Sequence, residues 1–149
     1  MLWQIYPKSH VYIMSTDKDF LQLVDDRLQV WSPTKKKYYF KNTVNEDFEI
    51  PAHNYLLYRT MKGDPSDNIP GIKGVGVKTL KKRLPILFND KKITIEDLLD
   101  YVKNTDDTSK VIKEISDSED MIRLNYELMQ LSEVDIPGST KSYIMDAVR

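Results

Sequence analysis

Lys62-Gly-Asp-Pro-Ser-Asp-Asn-Ile-Pro-Gly-Ile-Lys-Gly-Val-Gly-Val-Lys-Thr-Leu80 is the stretch on which the reading of this 149-residue chain turns. From Gly63 to Gly71 it is built of turn and cap residues, so no regular element can run through it. Gly74 and Gly76 then permit a tight backbone, and a helix is predicted from about Lys78 to Leu84, stopped by Pro85. The N–H groups of Gly74 to Lys78 would converge on one phosphate, helped by the helix N-terminus, with Lys78 and Lys81 as charge partners. The four-residue gap and Gly-Lys-Ser/Thr ending of a P-loop are absent, which excludes that motif.

The apolar–Pro–Gly–Ile–x–Gly–Val–Gly–x–Lys–Thr pattern is that of a helix–hairpin–helix over about residues 63–84, an element that grips the DNA backbone without reading its sequence. A plain αα-turn is the alternative. Charge favours the first reading. Gly71 to Lys92 holds seven basic residues (Lys73, Lys78, Lys81, Lys82, Arg83, Lys91 and Lys92) against Asp90 alone, while Ile95 to Asp120 holds nine acids against three lysines. A net charge of −1 therefore hides a segregation that keeps any nucleic-acid contact local. The acidic segment reads as a solvated outer face.

Two carboxylate pairs flank this region. Asp17-x-Asp19 follows the predicted strand Val11–Met14, at the end where clefts of α/β folds open. Residues i and i+2 of extended chain share a face. Asp64-x-x-Asp67 has helical i, i+3 spacing. Clustered acids repel unless a cation sits between them, and oxygen-only ligands suit Mg²⁺ or Mn²⁺. Capping explains either pair taken singly: Thr16 as N-cap with Asp19 in the first turn, or Asp64 as N-cap with Pro65 at the first helical position.

Working outward, a short helix is expected at Phe20–Val24, and a strand hairpin at Arg27–Trp31 and Lys37–Lys41 joined through Ser32-Pro33-Thr34. A helix is expected over Ala52–Met61, one capped by Thr94 running to about Lys103, and another over Asp120–Leu131. Lys35, Lys36, Lys37 and Lys41, interleaved with Tyr38, Tyr39 and Phe40, read as a charged hairpin edge or as a further DNA contact. His10 and His53 read as bystanders. Leu2, Trp3, Ile5 and Tyr6 read either as a frayed terminus packed on the core or as the last turns of an apolar helix whose start is missing. The fold class is thus α/β and mostly helical. Residues 1–48 form a partial α/β core with short strands, and residues 49–149 a helical DNA-binding region. No cysteine is present, which excludes disulfides and thiolate chemistry. No apolar run of membrane-spanning length occurs, so no membrane partner is expected. The expected address is the cytoplasm.

Ser15-Thr-Asp-Lys-Asp-Phe-Leu-Gln-Leu-Val24, the Lys62–Leu80 block, and Asn125-Tyr-Glu-Leu-Met-Gln-Leu131 followed by Val134-Asp-Ile-Pro137 together resemble the 5′-nuclease family. That family comprises phage 5′→3′ exonucleases, flap endonucleases and the 5′-nuclease domain of family-A DNA polymerases, which act in DNA replication and repair. The resemblance implies two-metal phosphodiester hydrolysis of branched or 5′-ended DNA. It implies that Asp17, Asp19, Asp64 and Asp67 are catalytic metal ligands for Mg²⁺ or Mn²⁺. It implies that Lys73, Gly74, Val75, Gly76, Lys78, Thr79, Lys81 and Lys82 meet duplex DNA, with K⁺ held by backbone carbonyls of the hairpin. Family members carry further acids and a basic helical arch upstream, whereas no acid precedes Asp17 here. The expectation is a C-terminal nuclease half that binds DNA backbone weakly and cleaves poorly or not at all alone: either its N-terminal half is a separate polypeptide that restores activity, or the chain is a relic. The alternatives are a non-catalytic DNA-binding adaptor and a protein-interaction module.

Overall fold

Val11-Tyr-Ile-Met is a short apolar run bounded by polar residues, and it forms β1 (Val11–Met14). In the computed structural model, which describes residues 8–132 and 137–147, a 3-10 helix (Lys18–Leu23) returns the chain to β2 (Leu28–Ser32), and β3 (Lys37–Tyr39) follows. The sheet order is β1-β2-β3, with β1 and β2 parallel and β2 and β3 antiparallel. Helices complete the chain: α1 (Lys41–Phe48), α2 (Tyr55–Lys62), α3 (Val77–Arg83), α4 (Ile95–Asn104), α5 (Lys110–Asp117), α6 (Glu119–Met129) and α7 (Gly138–Ala147). The structure has the expected mostly helical α/β fold. The expected helix tail at Leu2–Tyr6 and the Val134-Asp-Ile segment lie outside the described residues.

Several boundaries shift for physical reasons. The helix expected at Phe20–Val24 begins at Lys18, because the Asp17 carboxylate caps it by accepting from the Asp19 N–H at 2.8 Å. The strand expected to reach Lys41 stops at Tyr39, because the Phe40 N–H donates to Thr43 Oγ1 and opens α1. The lysine knot serves this junction. Lys37 Nζ donates to both Asp47 oxygens at 2.9 and 2.8 Å, and Tyr39 Oη to one of them at 3.1 Å. Thr94 caps α4 as expected, with Asp97 bonding back to the Thr94 N–H. The parallel pairing of β1 with β2 and the separate helices α1, α5 and α7 had no clear sequence signal.

One apolar cluster runs from Leu21, Leu28 and Val30 of the sheet region through Tyr55, Leu57 and Met61 of α2 to Leu98, Ile115 and Ile122 of α4, α5 and α6. Helix α2 is the central member and packs on α6. Two buried amide side chains, Asn54 and Asn125, and the half-buried Gln22 pin the loops to this frame. Asn54 donates to the carbonyls of Leu87 and Lys91 at 3.0 and 3.2 Å and accepts from the Ile93 N–H at 3.1 Å. Asn125 donates at 2.8 Å to the carbonyls of both Thr60 and Pro70. Gln22 donates to the carbonyls of Asp19 and Met129 and accepts from Leu131 N–H. Each amide offers donors and an acceptor at one point, so it can satisfy backbone groups that no helix or strand pairs.

Replacing Asn54 by alanine strips three backbone groups of their partner in a fully buried setting. Urea unfolding of Asn54→Ala should show a loss of about 2–4 kcal/mol, in the range for breaking a buried hydrogen-bond network. An unchanged midpoint would show that water replaces the amide at no cost.

Candidate functional site

The site is assembled where α2 ends. Gly63 closes that helix at a φ of 71°, its N–H bonded to the Arg59 carbonyl at 2.8 Å. The chain then folds back on itself. Asp64 and Ile69 exchange both backbone bonds at 2.9 Å, and the Ile72 N–H reaches the Met61 carbonyl at 2.8 Å. The crossing is so close that a Cβ on Gly71 would stand 1.9 Å from the Lys62 carbonyl oxygen, and one on Gly63 2.6 Å from the Ile69 carbonyl oxygen. Inside this closed loop Asp64 caps a 3-10 turn, Pro65–Asp67, by accepting from the Ser66 N–H at 2.9 Å. Capping and clustering therefore coexist at Asp64: Oδ1 fixes the turn and Oδ2 faces inward.

Asp19, Asp64 and Asp67 each place a carboxylate oxygen within 4.8 Å of the others. Asp17 is not part of this group; its carboxylate is turned to the 3-10 helix it caps. Arg59 of α2 also belongs to the cluster and was missed in the sequence. Its Nη2 donates to Asp19 Oδ1 at 2.8 Å and to Asp64 Oδ2. The only local hint was an arginine in a helix that otherwise turns Tyr55, Leu57, Tyr58 and Met61 inward.

The electrostatics follow from these contacts. Burial raises the Asp19 carboxyl above its ordinary value, and the Arg59 charge only partly offsets this. The hydroxyl of Ser66 and then Arg59 hold Asp64 down, at about 2. Burial pulls the Arg59 guanidinium down, but its bond to Asp64 and the Asp19 charge outweigh that and its affinity for the proton rises. Three carboxylates against one guanidinium leave an excess of negative charge, and the donor set is oxygen only. Such a set fits a hard divalent cation.

The glycine turn lies further along. Gly74 sits at a φ of 88°, and the Val75 side chain is buried, so it anchors the turn and leaves only backbone to face outward. Gly76 precedes α3 with an ordinary φ of −78°, and no atom lies within 4 Å of where its Cβ would be. No side chain caps this helix start. Lys73, Lys78, Lys81 and Lys82 are exposed, Thr79 is half-buried, and none of the four lysines is in an ion pair among the described residues. Arg83, in contrast, is bound to Asp107 at 3.1 Å.

No family model matches the chain. It is 30% identical over 135 residues to the thermostable DNA polymerase I of Thermus thermophilus, covering 86% of this chain and 16% of the polymerase. It is 30% identical over 125 residues to the flap endonuclease Xni of Shewanella sp. (strain ANA-3), covering 84% of this chain and 45% of that protein. Among solved structures, it superposes on a pseudo-enzyme–product complex of the bacteriophage T5 flap endonuclease with DNA and metal ions. The TM-score is 0.65 at 24% identity, over 83% of this chain and 44% of that one. The chain thus spans half or less of the length of the relatives it matches.

Two outcomes are expected of the isolated chain. The Asp64 carboxyl titrates at about 2 when folded, below the ordinary 3.8, so its stabilisation is complete above about pH 4 and is lost as the pH falls through about 2. Asp64→Asn should therefore flatten the acid limb of a stability–pH curve in that window. Gly71→Ala should fail to fold, whereas Gly76→Ala should melt within a few degrees of the parent, as read by circular dichroism.

Proposed function

We propose, for a chain that belongs to the 5′-nuclease family, that it supplies the duplex-gripping element and part of the metal site of a structure-specific 5′→3′ exonuclease or flap endonuclease. The observation that carries this reading is the convergence of Asp19, Asp64 and Asp67 at the foot of the loop that leads into the glycine turn. Asp19, Asp64 and Asp67 would hold Mg²⁺ or Mn²⁺, with Asp17 joining as a further ligand if its cap opens. A bound ion at this point would polarise the scissile phosphate and lower the pKa of its bound water.

The chain's own residues do the rest. Arg59 offsets the mutual repulsion of Asp19 and Asp64 and holds them in place from a buried helix. The N–H groups from Gly74 to Lys78 receive a phosphate of the duplex backbone, as in a helix–hairpin–helix. Gly76 supports this role, because nothing among the described residues requires a glycine there and an incoming backbone would. Lys73, Lys78, Lys81 and Lys82 neutralise neighbouring phosphates, Thr79 adds a hydroxyl, and hairpin carbonyls offer a seat for K⁺. The T5 structure supports DNA and metal ions as the ligand classes. Three clustered carboxylates serve one cation better than two, so cleavage by this chain alone is poor and the remaining family acids must come from the rest of the nuclease fold, proposed as an N-terminal half.

A duplex-binding adaptor without catalysis is the second reading, and the Arg59 contacts favour it: a guanidinium already shared by two of the acids can be their permanent counter-ion. A 5′-labelled flap duplex separates the two. Binding in Ca²⁺ should weaken on the order of a hundredfold between 50 and 200 mM salt if four lysines each neutralise a phosphate, and Lys78→Ala should reduce the salt slope by about one. Slow Mg²⁺-dependent nicking that disappears in Asp64→Asn, with binding unchanged, is the nuclease outcome. Binding with no nicking, indifferent to Asp19→Asn and Asp64→Asn, is the adaptor outcome. Affinity that ignores salt would overturn both and leave a protein-interaction module.

A further inference from the structure

Arg59 reaches the acidic cluster through one nitrogen. Its Nη2 donates to Asp19 Oδ1 at 2.8 Å and to Asp64 Oδ2. The Arg59 side chain is 12% exposed, and those of Asp19 and Asp64 are 21% and 17% exposed, so the contact is shielded but not sealed from solvent. Arg59 Nε is buried and has no hydrogen-bond partner among the described residues, although a buried N–H ordinarily finds an acceptor. The hydrogen bonds that fix the guanidinium thus both go to carboxylates.

Asp64 has a single oxygen to give. Its Oδ1 is committed to the turn, where it accepts from the N–H and the hydroxyl of Ser66. Its Oδ2 is the oxygen that Arg59 holds. Asp67 is in the opposite condition. It is exposed and its carboxylate makes no ion pair or hydrogen bond among the described residues, yet one of its oxygens lies within 4.8 Å of those of Asp19 and Asp64. The cluster therefore has one solvent-facing carboxylate without a partner and two half-buried ones already joined to a guanidinium. A divalent cation that draws on all three needs Asp64 Oδ2, and there it meets a nitrogen already in contact with that oxygen. A guanidinium and a dication at such range repel each other.

We infer that Arg59 is an exchangeable internal counter-ion, which closes on Asp19 and Asp64 while no divalent cation is bound and releases Asp64 Oδ2 when one enters over Asp67. The inference rests on the metal-site reading above and adds its regulation. Without the ion, Arg59 supplies the positive charge that two converging carboxylates require, so the acids are brought together before metal arrives. With the ion, the same positive charge opposes it. Divalent-cation affinity is thereby set below that of three bare carboxylates, and occupancy is coupled to movement of a side chain on α2, the central helix of the core.

The probe is Mg²⁺ alone, titrated into the full isotopically labelled chain without DNA and followed by NMR. In the wild type, the backbone amides of Ser66 and Asp67 and the Arg59 Nε–H should shift together, with one dissociation constant. Arg59→Gln keeps a polar side chain without the charge, and Mg²⁺ should bind it about tenfold tighter or more. That variant should also melt below the wild type in EDTA, and saturating Mg²⁺ should close the gap. Asp67→Asn should weaken Mg²⁺ binding and leave the melting temperature in EDTA unchanged. An Arg59 Nε–H that stays in place while the loop amides shift would overturn the exchange and leave the metal site standing. So would an Arg59→Gln chain that folds and binds Mg²⁺ no more tightly than the wild type. Mg²⁺ that shifts nothing in either chain would overturn the metal-site reading as well. If Arg59→Gln does not fold, the wild-type Nε–H decides the matter by itself.

Discussion

The Arg59 guanidinium is the interaction on which the acidic site depends. Asp19 and Asp64 come from segments 45 residues apart, and two carboxylates brought that close in a half-buried setting repel each other. A cation fixed on α2 resolves the conflict, and α2 can fix it because Tyr55, Leu57 and Met61 bury the rest of the helix. The two acids respond differently to the same partner. Asp64 is sufficiently hydrogen-bonded, by Ser66 and then by Arg59, to stay strongly ionised, whereas burial dominates at Asp19. The site is therefore asymmetric before any ligand arrives.

Holding that geometry requires that α2, the 3-10 helix after β1 and the Gly63–Gly71 loop keep fixed positions. Three amide side chains do this. Gln22 ties the Asp19 carbonyl to the end of α6, Asn125 of α6 ties the end of α2 to Pro70, and Asn54 ties the start of α2 to the segment after α3. Each bridges elements that share no sheet or helix ladder, so the acidic cluster and the glycine turn share a single frame. The backbone crossing at Gly63 and Gly71 tightens the frame, because there is room there for nothing larger than hydrogen.

The sheet shows the opposite condition. Among the described residues it is three strands wide, covered on one face and aromatic on the other. The basic face beside the glycine turn is by contrast a normal solvated surface, whose Lys73, Lys78, Lys81 and Lys82 are exposed and form no ion pair among the described residues.

The sequence alone determined the features that arise from local chemistry. Gly63-Asp-Pro-Ser-Asp has to be a capped turn, Gly74 and Gly76 have to flank a tight backbone ahead of a helix, and Thr94 has to cap α4, because each depends on residues within four positions of one another. The resemblance carried by the same residues led to the family. Tertiary structure decided what links distant positions. It brought Asp19 to Asp64 and Asp67 and left Asp17 as a cap, placed Arg59 between Asp19 and Asp64 across 40 residues, paired β1 with β2 in parallel, and gathered Tyr12, Trp31, Tyr38 and Phe40 on one face. An arginine, an asparagine or a tyrosine carries no local mark of its partner. Its role is fixed only when packing of the shared core sets the distance to a group far away in the chain.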